Sequence, residues 1–173
     1  MEKPTRTPDA SVAINAEALR ARYRPGTIKV LFVGESAPAG GTFFYAGNSQ
    51  VFYALRDALA PRLGHGDFLA SFQAAGFFLD DLSLEPIDWQ TASQRKRAHA
   101  ANVASLATRL RAYRPQAVVA LLKAIEPSVV EACRQAGLGF VPSAVPFPGN
   151  GQQANFRREL SGLLPGLMAI ARA

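Results

Sequence analysis

Apolar residues follow two rhythms along this chain of 173 residues. VLFVG within IKVLFVG (28–34) and AVVALL (117–122) are continuous apolar runs, the pattern of strands buried on both faces. GFFLDDLSL (76–84) reads as another strand, closing on two acids, and LGFVPSAVPF (138–147) as a fourth. The stretches between them keep the helical period. Residues 11–24 (SVAINAEALRARYR) suit a short helix ended by Pro25-Gly26. Val51, Phe52, Leu55 and Leu59 share one face of a helix over about 50–62, with Asn48 or Ser49 as its cap. A short helix over 67–75, a long one over 93–113 and one over 128–137 with a glycine stop follow. A final helix over 152–171 contains Pro165 as a point for a kink, and residues 1–10 read as a loose arm.

Strands alternating with helices predict an α/β fold: a three-layer α/β/α sandwich around a central, mainly parallel four-stranded sheet, in one domain spanning 1–173. Ligands of such sheets sit beyond the carboxyl ends of the strands. The loops that matter are therefore 34–48, 80–90, 122–127 and 146–153.

Composition narrows the function classes. With 49% hydrophobic and 18% charged residues the chain is globular. It has no apolar run of the ~18–20 residues that span a bilayer. MEKPTRTPDAS offers no hydrophobic signal core, so a cytoplasmic protein without a membrane partner is expected. Cys133 is the single cysteine, which excludes an internal disulfide and a cysteine-built metal site, and it reads as a buried helix residue. His65 and His99 lie in polar surroundings without ligand spacing and read as surface residues. The net charge of +6 favours an anionic partner such as nucleic acid, although Arg- and Ala-rich composition also follows from a GC-rich genome. QRKRAH (94–99), continued by Arg109, Arg111 and Arg114, reads as a solvated helix face, with DNA-backbone contact as the sharper alternative.

The strand-end loops hold the candidate chemistry. In VLFVGESAPAGGTFFYAGNSQ, Gly34, Gly40 and Gly41 let a ligand approach the backbone, and Glu35 stands at the crevice. Phe43 or Phe44 offers a ring for stacking, and Asn48 offers amide donors and an acceptor. The loop has neither the Gly-Lys-Ser/Thr of a phosphate loop nor a Gly-x-Gly-x-x-Gly fingerprint. GESAP comes near a serine-hydrolase elbow, but Pro38 replaces its second glycine and no histidine lies in a strand-end loop to activate Ser36. Of Asp80 and Asp81, strand alternation sends one toward the crevice. PFPGNGQQANF (146–156) can present amide N–H groups, with Gly151 and Gln152 near a helix start suited to a phosphate or a groove edge and Arg157 and Arg158 following on the helix.

VLFVGESAPAGGTFFYAGNSQVFYAL resembles the first motif region of the uracil-DNA glycosylase superfamily: strand, Gly34, an acid, Pro38 in a turn, Gly41, a phenylalanine and a helix. GFFLDDLSLEP resembles the second region, RPQAVVALLKAI the central strand, and PFPGNGQQANF occupies the place of the last motif. The resemblance covers roughly residues 28–160. It implies an enzyme that flips a damaged base out of DNA and hydrolyses its N-glycosidic bond, with no cofactor and no metal, acting as a monomer without an obligate protein partner. Gly34, Ser36 and Asn48 would line the base site. The base would stack on Phe43 or Phe44, Asp80 or Asp81 would read its edge, and Glu35 would act on water or on the positive sugar. Donors around Gly149, Asn150 and Gly151 would stabilise the departing anion, and Gln152 or Gln153 would fill the gap in the DNA.

The chain departs from this family at three points. PFPGNG lacks the family's usual His-Pro-Ser type sequence, one cysteine cannot hold the iron–sulfur cluster of the thermostable branch, and an Asp replaces the usual Asn reader. Two other readings therefore stand beside the glycosylase: a non-catalytic binder of a base, nucleotide or nucleic acid on the same fold, and a hydrolase using Ser36.

Overall fold

The computed structural model describes residues 10–64 and 66–173, with the side chains of 10–15 excepted. The predicted arm at 1–10 lies outside these residues apart from Ala10, and His65 lies outside them too. The order of elements is α1 (Ala10–Arg22), β1 (Val30–Gly34), α2 (Gln50–Leu63), α3 (Phe68–Ala74), β2 (Phe77–Asp81), α4 (Ala92–Ala101), α5 (Val103–Tyr113), β3 (Ala117–Ala120), α6 (Glu126–Gln135), β4 (Ser143–Ala144) and α7 (Gln153–Arg172). The four strands form one sheet in the order β2-β1-β3-β4, and every pairing is parallel. The predicted three-layer α/β fold is the one observed. No helix among the described residues is long and apolar enough to cross a membrane.

β1 is central because both its faces are covered: Val30, Leu31, Phe32 and Val33 are fully buried. On β2 the alternation of side chains sends Phe77 against Phe72 of α3 and Phe78 against Tyr113 of α5. α2, α3 and α7 pack together on the first side, and α5 packs with α6 on the second. Helix starts follow side-chain caps. Ser49, not Asn48, caps α2 by accepting the Phe52 N–H at 3.1 Å, Asp67 caps α3, and Thr91 with Gln94 closes a capping box on α4.

Two elements differ from expectation. The helix predicted over 93–113 is two helices, because at Asn102 the backbone leaves helical geometry (ψ −1°) and its side chain takes the Ala98 carbonyl. The strand expected over 138–147 shrinks to Ser143–Ala144, flanked by Pro142 and Pro146, which have no N–H for a sheet ladder. Pro165 sits inside α7, which continues through it.

β2 is an edge strand, and its outward backbone groups need partners. Tyr45, in a 3₁₀ turn over Phe44–Ala46, supplies them: its hydroxyl donates to the Leu79 carbonyl at 2.8 Å and accepts the Leu79 N–H at 2.7 Å. Burial raises the Tyr45 pKa well above the usual phenol range, so the hydroxyl stays a donor. Tyr45→Phe leaves a buried N–H and C=O unpaired and is expected to cost about 1–3 kcal/mol in urea unfolding at unchanged m-value. A midpoint equal to that of the parent would show that water replaces the hydroxyl there.

Candidate functional site

Beyond the carboxyl ends of β1, β2 and β3 lies a cavity of about 540 Å³. Leu79, Leu121, Phe44, Val51 and Phe147 give it apolar walls. Its polar groups come from the ends of strands and the loops after them, Glu35, Asp81, Asn48, Asp88 and Asn150, and from α4, which contributes Arg95. A mostly apolar hollow with a few placed polar groups is the usual form of a small-ligand site.

Glu35 follows the last residue of β1 and is nearly buried, with 12% of its side chain exposed. Arg95 grips it from α4, Nε to Oε1 at 2.9 Å and Nη2 to Oε2 at 2.5 Å. His99, one helical turn further on, places Nε2 2.6 Å from Oε1. An ionised carboxylate only accepts, so Nε2 carries the proton in this contact. His99 is therefore not the surface residue that its polar neighbours suggest: it is 7% exposed. Nor is QRKRAH wholly a solvated face, since Arg95 and His99, spaced i and i+4, turn inward together. That spacing is the signal that could have found them.

Asp80 and Asp81 point to opposite sides of β2. Asp80 faces away from the cavity, and its Oδ2 accepts from Arg109 at 2.5 Å and Tyr113 at 3.1 Å. Arg109 is thus turned inward, against the expectation of an exposed polar face. Asp81 lines the cavity, with Oδ2 accepting from Arg20 of α1 at 2.7 Å. Burial pushes the Asp81 carboxyl up to about 6, opposed by the Arg20 charge and assisted by Asp80. Burial alone would lower the pKa of Arg20, but Asp81, Asp80 and Glu17 hold it raised. Sequence reasoning missed Arg20, because an arginine on a short helix carries no mark of the strand end it will reach.

The other expected residues separate cleanly. Phe44 lines the cavity, while Phe43 packs edge-on to Tyr45 beneath the Arg20 guanidinium and does not. Asn48 lines the cavity, and its Oδ1 accepts the Phe43 N–H at 2.8 Å, which leaves its NH₂ for a ligand. Ser36 lines it too, but its oxygen accepts the Ile87 N–H at 3.2 Å, and the one described histidine bonds Glu35 instead. The elements of a serine-hydrolase triad are not assembled among the described residues. Asn150 reaches the cavity from a left-handed backbone position (φ 52°). Gly149 is buried where a Cβ would stand 2.6 Å from Gln50 Oε1 and 2.7 Å from the Phe147 ring. Gly151, Gln152, Gln153 and Arg157 are exposed and do not line the cavity. Cys133 is buried as expected, and burial pushes its thiol up to about 11. Among the described residues no cluster of three or more His, Cys, Asp and Glu side chains is arranged to hold a metal ion.

Gly34 is fixed by Asp81. A Cβ there would stand 2.4 Å from Asp81 Oδ1, and the carboxylate is tied on its other oxygen by Arg20. Gly34→Ala is expected to cost about 1–3 kcal/mol, and much less in an Asp81→Ala background. Urea unfolding of the four proteins of this cycle measures the coupling. Equal losses in both backgrounds would mean that Asp81 does not set the residue at position 34.

No family model matches the chain, and no curated protein or solved structure matches it significantly.

Proposed function

We propose that this protein is a DNA glycosylase of the uracil-DNA glycosylase type, which takes an extruded, deaminated base into the strand-end cavity and hydrolyses its N-glycosidic bond. The observation that carries the reading is the placement of Glu35: a nearly buried carboxylate at the wall of a cavity that also presents Phe44, Asn48, Asp81 and Asn150.

In this reading the base stacks on Phe44 and meets Asp81 with its polar edge. Glu35 takes a proton from a water molecule whose oxygen bonds to C1′ of the sugar. The C1′–N bond breaks and its electron pair leaves with the base. Arg95 and His99 hold the carboxylate in one rotamer, so its orientation is set before the substrate arrives. The Asn48 amide and the loop at Asn150 supply donors toward the departing anion.

A second reading, a binding protein of the same fold, is favoured by one observation. The 146–153 loop has no histidine, so the leaving base has no strong charged donor there. Oligonucleotides carrying uracil, hypoxanthine or xanthine, incubated with the protein and then cleaved with alkali at abasic sites, separate the two. The enzyme is expected to yield strand scission that falls about 10²- to 10⁴-fold in Glu35→Gln with binding retained. Absence of scission from folded protein on every substrate would leave the binding protein.

Asp81 gives the reaction a direction with pH. Its Oδ2 is engaged by Arg20, so protonation falls on Oδ1. Below about pH 6 that oxygen donates to a carbonyl edge such as that of uracil; above it the carboxylate repels the carbonyl and accepts from an amino group. Excision of uracil is therefore expected to rise as pH falls through 6, and Asp81→Asn, a donor at every pH, to flatten that rise. A pH profile unchanged in Asp81→Asn would remove Asp81 from base reading.

A further inference from the structure

The protein's positive charge is concentrated in one part of the chain. Residues 89–125 hold seven Lys and Arg and no Asp or Glu, whereas the remaining 12 Lys and Arg are met by 13 Asp and Glu. This segment therefore carries +7 and the rest of the chain −1, which together make the net +6. Three of its seven cations are spent internally: Arg95 on Glu35, Arg109 on Asp80 and Lys123 on Glu159. Lys96 and Arg97, exposed on α4, form no ion pair among the described residues.

The same segment begins with the most conspicuous apolar side chain on the surface. Trp89, the only tryptophan, is 67% exposed. It sits at the third position of the turn Ile87–Gln90, closed by the Gln90 N–H on the Ile87 carbonyl at 3.0 Å. Its indole N–H donates to the Pro86 carbonyl at 3.1 Å, and buried Ile87 anchors the turn from below. The ring is thus held out by the fold, not left loose. Asp88, next to it in the turn, lines the cavity, and so does Arg95 of α4. Helical side chains lean toward the helix N-terminus, and Arg97 does so visibly, with Nη1 donating to Ser93 Oγ at 3.0 Å. The basic side chains of α4 therefore lean back toward the turn that carries Trp89.

An exposed aromatic on the turn that leads into α4, and cations without ion pairs on that helix, with Asp88 and Arg95 of the same stretch lining the cavity, fit a polymer that alternates rings with phosphates. We propose that Trp89 and the α4 residues Lys96 and Arg97 form a landing surface for a single nucleic-acid strand. Trp89 stacks on an unpaired base next to the one in the cavity, and the two cations take flanking phosphates. The surface rests on the reading of the cavity as a base site, but its test does not require the cavity to be filled.

Because Trp89 is the only tryptophan, intrinsic fluorescence reports this one ring. The probe is an undamaged oligothymidylate of about 12 nucleotides, with heparin as a polyanion that has no bases. The oligonucleotide is expected to quench the emission and heparin to leave it nearly unchanged. Read by anisotropy of a labelled strand, Trp89→Ala is expected to weaken binding about tenfold at an unchanged salt slope. Lys96→Ala with Arg97→Ala is expected to lower the slope of log K against log salt by about one, with quenching at saturation retained. All three sites are exposed, and equal thermal melts of the variants verify that folding is intact. Equal quenching by heparin, or undiminished affinity in Trp89→Ala, would overturn the proposal. Loss of base excision with quenching intact would overturn the glycosylase alone, and excision without quenching would overturn the landing surface alone.

Discussion

Two adjacent carboxylates are buried at the end of an edge strand, and much of the site follows from the need to compensate them. Asp80 and Asp81 are 1% and 3% exposed. An uncompensated charge at that depth is too costly to keep. The two side chains leave β2 on opposite faces, so the groups that compensate them come from two helical layers. Arg109 and Tyr113 of α5 answer Asp80, and Arg20 of α1 answers Asp81 while standing 3.7 Å from Asp80. The N-terminal helix and the far helical layer are thereby tied to the same strand end. The ring of Phe43 under Arg20 and the stack of Tyr23 on Tyr45 extend this anchorage to the loop after β1.

The loop after β1 is held from several directions, which gives Glu35 a fixed setting. The backbone ladder continues past the strands, with Leu82 N–H on the Gly34 carbonyl at 2.8 Å and Ser83 N–H on the Glu35 carbonyl at 2.9 Å. Ser36 binds the Ile87 N–H, and Asp88 accepts the Ala39 N–H at 3.1 Å. The loops after β1 and β2 thus brace one another, and α4 starts directly after the second of them. A carboxylate on such a frame keeps its geometry without rearrangement, the condition under which a positioned group is effective in catalysis.

The sequence disclosed those parts of the architecture that depend on local pattern. Continuous apolar runs marked β1 and β3, and a capping residue marked the start of α2, whereas the Thr91 cap of α4 and the break at Asn102 emerge only in the structure. The alternation rule said that one of Asp80 and Asp81 would face the cavity but not which, since that depends on the sheet face, a tertiary fact. His99 was misread because its sequence neighbours are charged and its spatial neighbour Glu35 is 64 positions away. Helical periodicity contained the corrective: Arg95 and His99 share a stripe with the turn of α4 that faces β1. Pro142 and Pro146 were visible in LGFVPSAVPF and shorten β4 for the reason proline always interrupts a ladder.

The distribution of charge reconciles an acidic cavity with a basic protein. Glu35 and Asp81 each sit against an arginine, which leaves Asp88 as the carboxylate of the cavity lining without an ion pair among the described residues. The cations that balance these acids are thereby withdrawn from long-range attraction, which falls instead to residues such as Lys96 and Arg97 that pair with no carboxylate among the described residues. Internal pairs are screened little by salt and exposed charges strongly. Capture of a polyanion would then depend steeply on ionic strength while events inside the cavity would not. On the proposed reading, attraction of the strand and chemistry on the base are carried by different arginines and lysines, and each can change without undoing the other.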